Sequence, residues 1–268
     1  MLQVEKLSVS VGGVRIVDEV SFEIRRGEIY GLCGESGCGK TTAALAILRL
    51  LRPPTVIDEG RILWDGHDVL RFSDEELREF RWREVSLVTQ GAMNALNPVM
   101  RVGDQMSDVL CARAGLSKME ARLRTAELLE RVGLNAVYAA SYPHQLSGGM
   151  RQRVVIAMAL ALDPKLVIMD EPTAALGVAQ TRMVLDLVRR LADRGLAVVI
   201  ISHNMNDVFE VADRIAVLRL GKMVAEGPAT DFDPAIVVDY MTSGRSDRTP
   251  QASAAPAGVS GDADGQGG

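Results

Sequence analysis

Aromatic side chains are scarce in this chain of 268 residues: Phe, Trp and Tyr make up only 4% of it, although hydrophobic residues reach 47%. Its core must therefore rest on Leu, Val, Ile, Ala and Met, and the length suits one large domain or a domain with a subdomain. Cysteine is nearly missing too. Cys33, Cys38 and Cys111 are odd in number and stand at no metal-ligand spacing. That excludes a disulfide framework or a Cys-based zinc site and reads as free thiols in a reducing cytosol. Long apolar runs are absent: the longest, VVIAMALAL at 154–162, is far short of the roughly 18 residues that a membrane span needs. The start, MLQVEKLSVS, has no basic stretch followed by an apolar one, so no signal peptide is expected. Positive charge is not in surplus. A net charge of -5 argues against binding nucleic acid by bulk attraction, and no nucleic-acid partner is expected.

The patterns that are present divide the chain. Residues 3–33 alternate apolar and polar in short runs (VEKLSV, VSFEI, EIYGLC) broken by Gly12-Gly13 and Gly27, which predicts several strands with turns. TTAALAILRLL, 41–51, predicts a helix closed by Pro53-Pro54. RILWDG reads as a strand and turn, Ser73 with Glu76 as a capping box for a short charged helix, and VSLVTQ as a buried strand. From about 92 to 160 the character is helical; Ser117 with Glu120 caps one helix through about Val132, and a long helix starts near Ser147. LVIMD (166–170) and AVVIIS (197–202) have the continuous apolar character of strands covered on both faces, with a helix over 178–193 between them. RIAVLRL and KMVAEG are further strands meeting at Gly221, and no internal repeat occurs. The tail from 244 to 268, rich in Ala, Gly, Ser and Pro without hydrophobic period, is expected to be disordered.

Three motifs carry chemistry. GESGCGKT fits the phosphate-loop pattern, and the residues expected to cradle a nucleotide are Gly34, Glu35, Ser36, Gly37, Cys38, Gly39, Lys40, Thr41 and Thr42. Its glycines let backbone N–H groups curl round an anion, Lys40 reaches the β- and γ-phosphates, and Thr41 is a ligand for Mg²⁺. LVIMDE puts Asp170 at the carboxyl end of a buried strand, where ligands of open α/β sheets sit. Asp170 can hold the metal through a water while Glu171 polarises the attacking water. In LSGGMRQR, Ser147, Gly148 and Gly149 open a helix and present N–H groups and a hydroxyl to an anion. The phosphate loop already holds the chain's own γ-phosphate, so this surface is expected to clamp the ATP of a second subunit.

The set GESGCGKT, Gln90, LSGGM, LVIMDE and His203 in IISHN resembles the ATP-binding subunit of an ABC transporter over about residues 2–243. The resemblance implies a P-loop NTPase (RecA-like) α/β core over 1–243, with an N-terminal antiparallel β-subdomain and a helical subdomain inserted at about 92–160. It implies ATP and Mg²⁺ as ligands, with Gln90 sensing metal and attacking water and His203 contacting the γ-phosphate while holding Glu171. His67 and His144 match no such role and read as ordinary surface or loop residues. It also implies a second ATP-binding subunit, identical or different, that sandwiches two ATP molecules head to tail with this one. Integral membrane permease subunits, a solute-binding protein acting indirectly, and a peripheral place on the cytoplasmic face of the membrane complete the expectation. Repair-type relatives insert a long coiled coil, translation types carry two ATP units, and exporters are commonly fused to membrane helices; none of these features is in the sequence.

Two parts of the chain resemble different branches. QGAMNALNPVMRVGDQM and YPHQLSGGMRQRVVIAMAL look like dipeptide, oligopeptide or nickel importers. DEPTAALGVAQTRMVLDLV and ISHNMNDVFEVADRIAVLRLGKMVAEG look like ribose- and xylose-type sugar importers. The segment after Gln90 faces the permease in this family, which favours a peptide-type partner. There are two departures. Gly177 stands where many relatives carry Asp, and Val11 stands 23 residues before the phosphate loop, where most relatives stack an aromatic on adenine. Valine offers apolar contact without a ring, so weaker base discrimination is expected.

Overall fold

The computed structural model describes residues 1–245; apart from Gly244 and Arg245, the tail expected to be disordered lies outside the described residues. The chain opens with β1 (Leu2–Val11), β2 (Val14–Ile24) and β3 (Ile29–Cys33), then α1 (Lys40–Ile47), β4 (Thr55–Trp64), β5 (His67–Asp68), α2 (Asp74–Glu79) and β6 (Val85–Val88). Helices α3 (Val102–Ala114), α4 (Lys118–Arg131) and α5 (Gly148–Ala159) follow. The chain then alternates β7 (Leu166–Asp170), α6 (Val178–Ala192), β8 (Ala197–Ser202), α7 (Met205–Val211), β9 (Arg214–Arg219), β10 (Lys222–Pro228) and α8 (Pro234–Ser243).

These strands form two sheets. One is antiparallel with order β2-β1-β4-β5; the other has order β10-β9-β3-β8-β7-β6, parallel except for β10 at its edge. Every residue of β3, β7 and β8 is buried, the two-faced burial that their unbroken apolar runs require. The connection from β6 to β7 is built of helices and loops without a strand, and α5 packs on α4, α6 and β6. Both expected capping boxes form, Ser73 with Glu76 ahead of α2 and Ser117 with Glu120 ahead of α4. β9 and β10 join through Leu220 (φ 46°) and Gly221 (φ 81°), the two positive φ values of a type I′ hairpin.

The end of α1 differs from expectation. The helix stops at Ile47, well before Pro53-Pro54. Arg49 takes a left-handed φ of 49°, while its N–H bonds Ala46 O and that of Leu50 bonds Leu45 O, a Schellman closure with arginine in the usual place of glycine. The cost of that backbone is met by side chains. Arg49 Nη1 donates to Phe72 O at 2.7 Å, and Arg81 Nε donates to Leu48 O at 2.8 Å. Tertiary hydrogen bonds, which no local pattern encodes, end this helix.

Candidate active site

β6, β3, β7 and β8 end at the same edge of the parallel sheet, and each delivers one of the expected groups there. β3 feeds the loop 34–39, whose N-cap residue Gly39 supplies no side-chain cap to α1. The first-turn N–H groups of a helix have no intrahelical partner, so an anion is the natural acceptor at that point. Gly34 is required sterically: a Cβ there would lie 2.3 Å from Leu218 O and 2.5 Å from Cys38 Sγ. Glu35, Ser36 and Gly37 are exposed, Thr42 is half-buried, and Cys38, Gly39 and Lys40 are buried. Lys40 Nζ donates to Gly34 O at 2.8 Å and to Glu35 O at 2.9 Å, folded back over the loop. Gly221, a residue the motifs do not pick out, braces the loop from behind by donating to Cys38 O at 3.0 Å and accepting from Asp18 N at 2.8 Å. Its signal was the glycine between two strand patterns.

At the end of β7, Thr41 Oγ1 donates to Asp170 Oδ2 at 2.7 Å. Asp170 is buried, and its other oxygen, Oδ1, has no hydrogen-bond partner. Burial raises its pKa above the ordinary carboxylate value, with the Thr41 hydrogen bond opposing the shift. A buried carboxylate oxygen without a partner beside a hydroxyl is a fitting pair of hard oxygen donors for Mg²⁺. Gln90 lines the same cavity of about 160 Å³ as Thr41 and Asp170. Nearby Cys33 sits at the end of β3, its thiol pushed up to about 12 by burial; it is chemically quiet there.

Glu171 follows with a left-handed φ of 49°, which turns its side chain from β7 toward the end of β8. Its Oε1 accepts the His203 N–H at 3.0 Å and lies 2.7 Å from His203 Nδ1, while Oε2 accepts Ser202 Oγ at 3.3 Å. If Nδ1 carries the proton that faces Glu171, a neutral His203 leaves Nε2 as an acceptor. Only the imidazolium donates at both ends, to Glu171 and to a phosphate oxygen.

Ser147, Gly148 and Gly149 do not join this cluster. Ser147 N-caps α5, accepting from Met150 N at 3.3 Å, and is exposed. Gly149 lets α5 approach α6, since a Cβ there would be 3.0 Å from Gln180 Cβ. Val11 is half-buried at the end of β1, paired with Val14 and Thr55. His67 and His144 are both exposed. Gly177 N-caps α6 at φ -74°, with nothing within 4 Å of a would-be Cβ. The backbone there suits any residue.

A parallel sheet with a phosphate loop, a buried carboxylate with one unpartnered oxygen and a carboxylate–histidine pair at its carboxyl edge defines a nucleotide-hydrolysing P-loop unit. The family model described as ABC transporter matches residues 17–174. The dipeptide transport ATP-binding protein DppD of Bacillus subtilis (strain 168) is 41% identical over 240 residues, 87% of this chain and 72% of that one. The oligopeptide transport ATP-binding protein OppD of the same strain is 39% identical over 244 residues, 87% of this chain and 68% of that one. Among solved structures, the dimeric structure of MJ0796, a bacterial ABC transporter cassette, superimposes with a TM-score of 0.75 at 29% identity, covering 87% of this chain and all of that one. This chain belongs to the ABC transporter family, and it is an ATP-binding, ATP-hydrolysing subunit of that family.

Proposed function

We propose that the chain hydrolyses ATP to power import of peptides through a separate membrane permease, as one of two ATP-binding subunits seated on the cytoplasmic membrane face. The observation that carries this reading is the convergence of Lys40, Thr41, Asp170, Glu171 and His203 at one sheet edge, in a chain 41% identical to a dipeptide transport ATP-binding protein. Lys40 exchanges its two loop carbonyls for the β- and γ-phosphates, and Thr41 with Asp170 and Gln90 holds Mg²⁺. Mg²⁺ held there would supply positive charge to offset that of the phosphates. Glu171 polarises the attacking water, and His203 keeps that carboxylate in place while facing the γ-phosphate. Ser147, exposed, and Gly148, half-buried, stand with the buried Gly149 at the start of α5 and serve the nucleotide of the second subunit, and Val11 gives the base an apolar contact.

An apolar groove of about 340 Å³ between the parallel sheet and α5 includes Leu50, Trp82, Leu96 and Met158. It shares Leu87 and Thr89 with the cavity beside Thr41 and Asp170. This reading assigns the groove to a short cytoplasmic helix of the permease, whose movement would reach Gln90 through those two shared residues. No described helix is long and apolar enough to cross a membrane, and in this reading the solute path belongs to the permease. A sugar substrate is the second reading, favoured by the sugar-importer character of residues 170–188 and 201–227. Two measurements decide. Glu171→Gln is expected to lower ATP turnover by about 10²–10⁴-fold; near-normal turnover overturns the site. ATPase activity of the co-purified membrane complex should rise with peptides bound to its solute-binding protein, and stimulation by pentoses instead overturns the peptide assignment.

A further inference from the structure

Asp207 is a buried carboxylate that none of the nucleotide motifs includes, in the first turn of α7. One oxygen, Oδ2, accepts the Thr173 hydroxyl. The other, Oδ1, accepts Asn204 Nδ2 at 2.9 Å. Each partner leads back to Glu171. Thr173 lies two residues beyond it, in a turn where Ala174 N bonds Glu171 O at 3.1 Å and Leu176 N bonds Thr173 O at 3.1 Å. That turn holds two non-glycine residues in left-handed backbone, Glu171 at φ 49° and Ala175 at φ 63°. Such a conformation persists only where its surroundings over-determine it. On the other side, Asn204 accepts from Asn206 N at 3.2 Å and so caps α7, and its own N–H donates to Ser202 Oγ at 3.0 Å. With that lone pair taken, the Ser202 hydroxyl proton is free to point at Glu171 Oε2, 3.3 Å away. Four hydrogen bonds, 171–202–204–207–173, closed by the backbone between Glu171 and Thr173, form a ring that includes the carboxylate expected to activate water.

We propose that Asp207 is a positioning residue for Glu171. It pins the turn after β7 to the loop after β8, and so sets the aim of the Glu171 carboxylate and of His203 beside it. The inference rests on the assignment of Glu171 as the group that polarises water. A misplacement on the order of 1 Å costs up to about 100-fold in rate, so the effect should appear in turnover and not in nucleotide binding.

The test measures Mg²⁺-ATP turnover, binding of a fluorescent ATP analogue, and thermal melting for the full chain and four variants. Asp207→Asn has the same shape and keeps both contacts, since its amide can donate to Thr173 Oγ1 while its oxygen accepts from Asn204. It should stay within about threefold of wild type. Asp207→Val removes both contacts and should lose about tenfold or more in turnover with analogue affinity within threefold. Thr173→Val removes one contact and should fall between the two. A folded Asp207→Val protein with turnover within twofold of wild type overturns the proposal, as does an Asp207→Asn variant as slow as Asp207→Val. If Asp207→Val does not fold, Thr173→Val decides: wild-type turnover there overturns it. Glu171→Gln is the fourth variant. Should it remain active, the assignment of Glu171 fails; should it be inactive while the ring variants are normal, only the role of Asp207 fails.

Discussion

At the end of β7, Asp170 is held by Thr41 through one oxygen and left without a partner at the other. Burial raises its pKa. A carboxyl whose folded pKa exceeds its unfolded value favours the native state at low pH, and that advantage is lost as pH rises through the folded pKa. At neutral pH the ionised group is therefore a net cost to the nucleotide-free protein. Asp170→Asn should raise the melting temperature without nucleotide, by a margin that shrinks as pH falls into the carboxylate range. With Mg²⁺ and ATP present the order should reverse, because the wild type gains ligand stabilisation that the variant lacks. Thermal melts at several pH values check this. Val11 makes a second prediction at this scale. Half-buried at a strand end and without a ring, it should leave GTP hydrolysed nearly as well as ATP, whereas Val11→Tyr should shift the kcat/KM ratio toward ATP.

At the scale of elements, α6 shows how a departure from family pattern can be judged physically. Gly177 is its N-cap, without a side-chain cap, in extended backbone and open space. Glycine is not demanded there, so Gly177→Asp is accommodated and supplies both a capping oxygen and a charge at the positive helix end. Asp in place of Gly at an N-cap is worth a few tenths of a kcal/mol, so the melting temperature should rise by about a degree. The larger effect should lie in function: an exposed carboxylate ahead of α6 alters cooperativity between the two ATP sites more than basal affinity. ATP titrations that gave an unchanged Hill coefficient with reduced affinity would count against this.

For the whole molecule, Ser147 and its glycines do not line the cavity that Thr41, Gln90 and Asp170 share, and the proposed function assigns them to the nucleotide of a second subunit. Glu171→Gln protein with ATP should dimerise in light scattering as protein concentration rises, and a monomer at every concentration would count against a homodimer. The sequence by itself determined the chemistry and most of the elements. The phosphate loop, Asp170 with Glu171, the two capping boxes and the buried strands are local patterns, because loop curvature, capping and two-faced burial act within a few residues. Tertiary structure alone decided where α1 ends, because Arg49 and Arg81 close it through carbonyls and helices remote in sequence. It alone showed that Gly221 braces the phosphate loop and that Asp207 closes a ring that includes Glu171. A lone aspartate four residues past His203 carries no spacing signal; its meaning comes from the parallel pairing of β7 with β8, which sets residues 171 and 203 side by side.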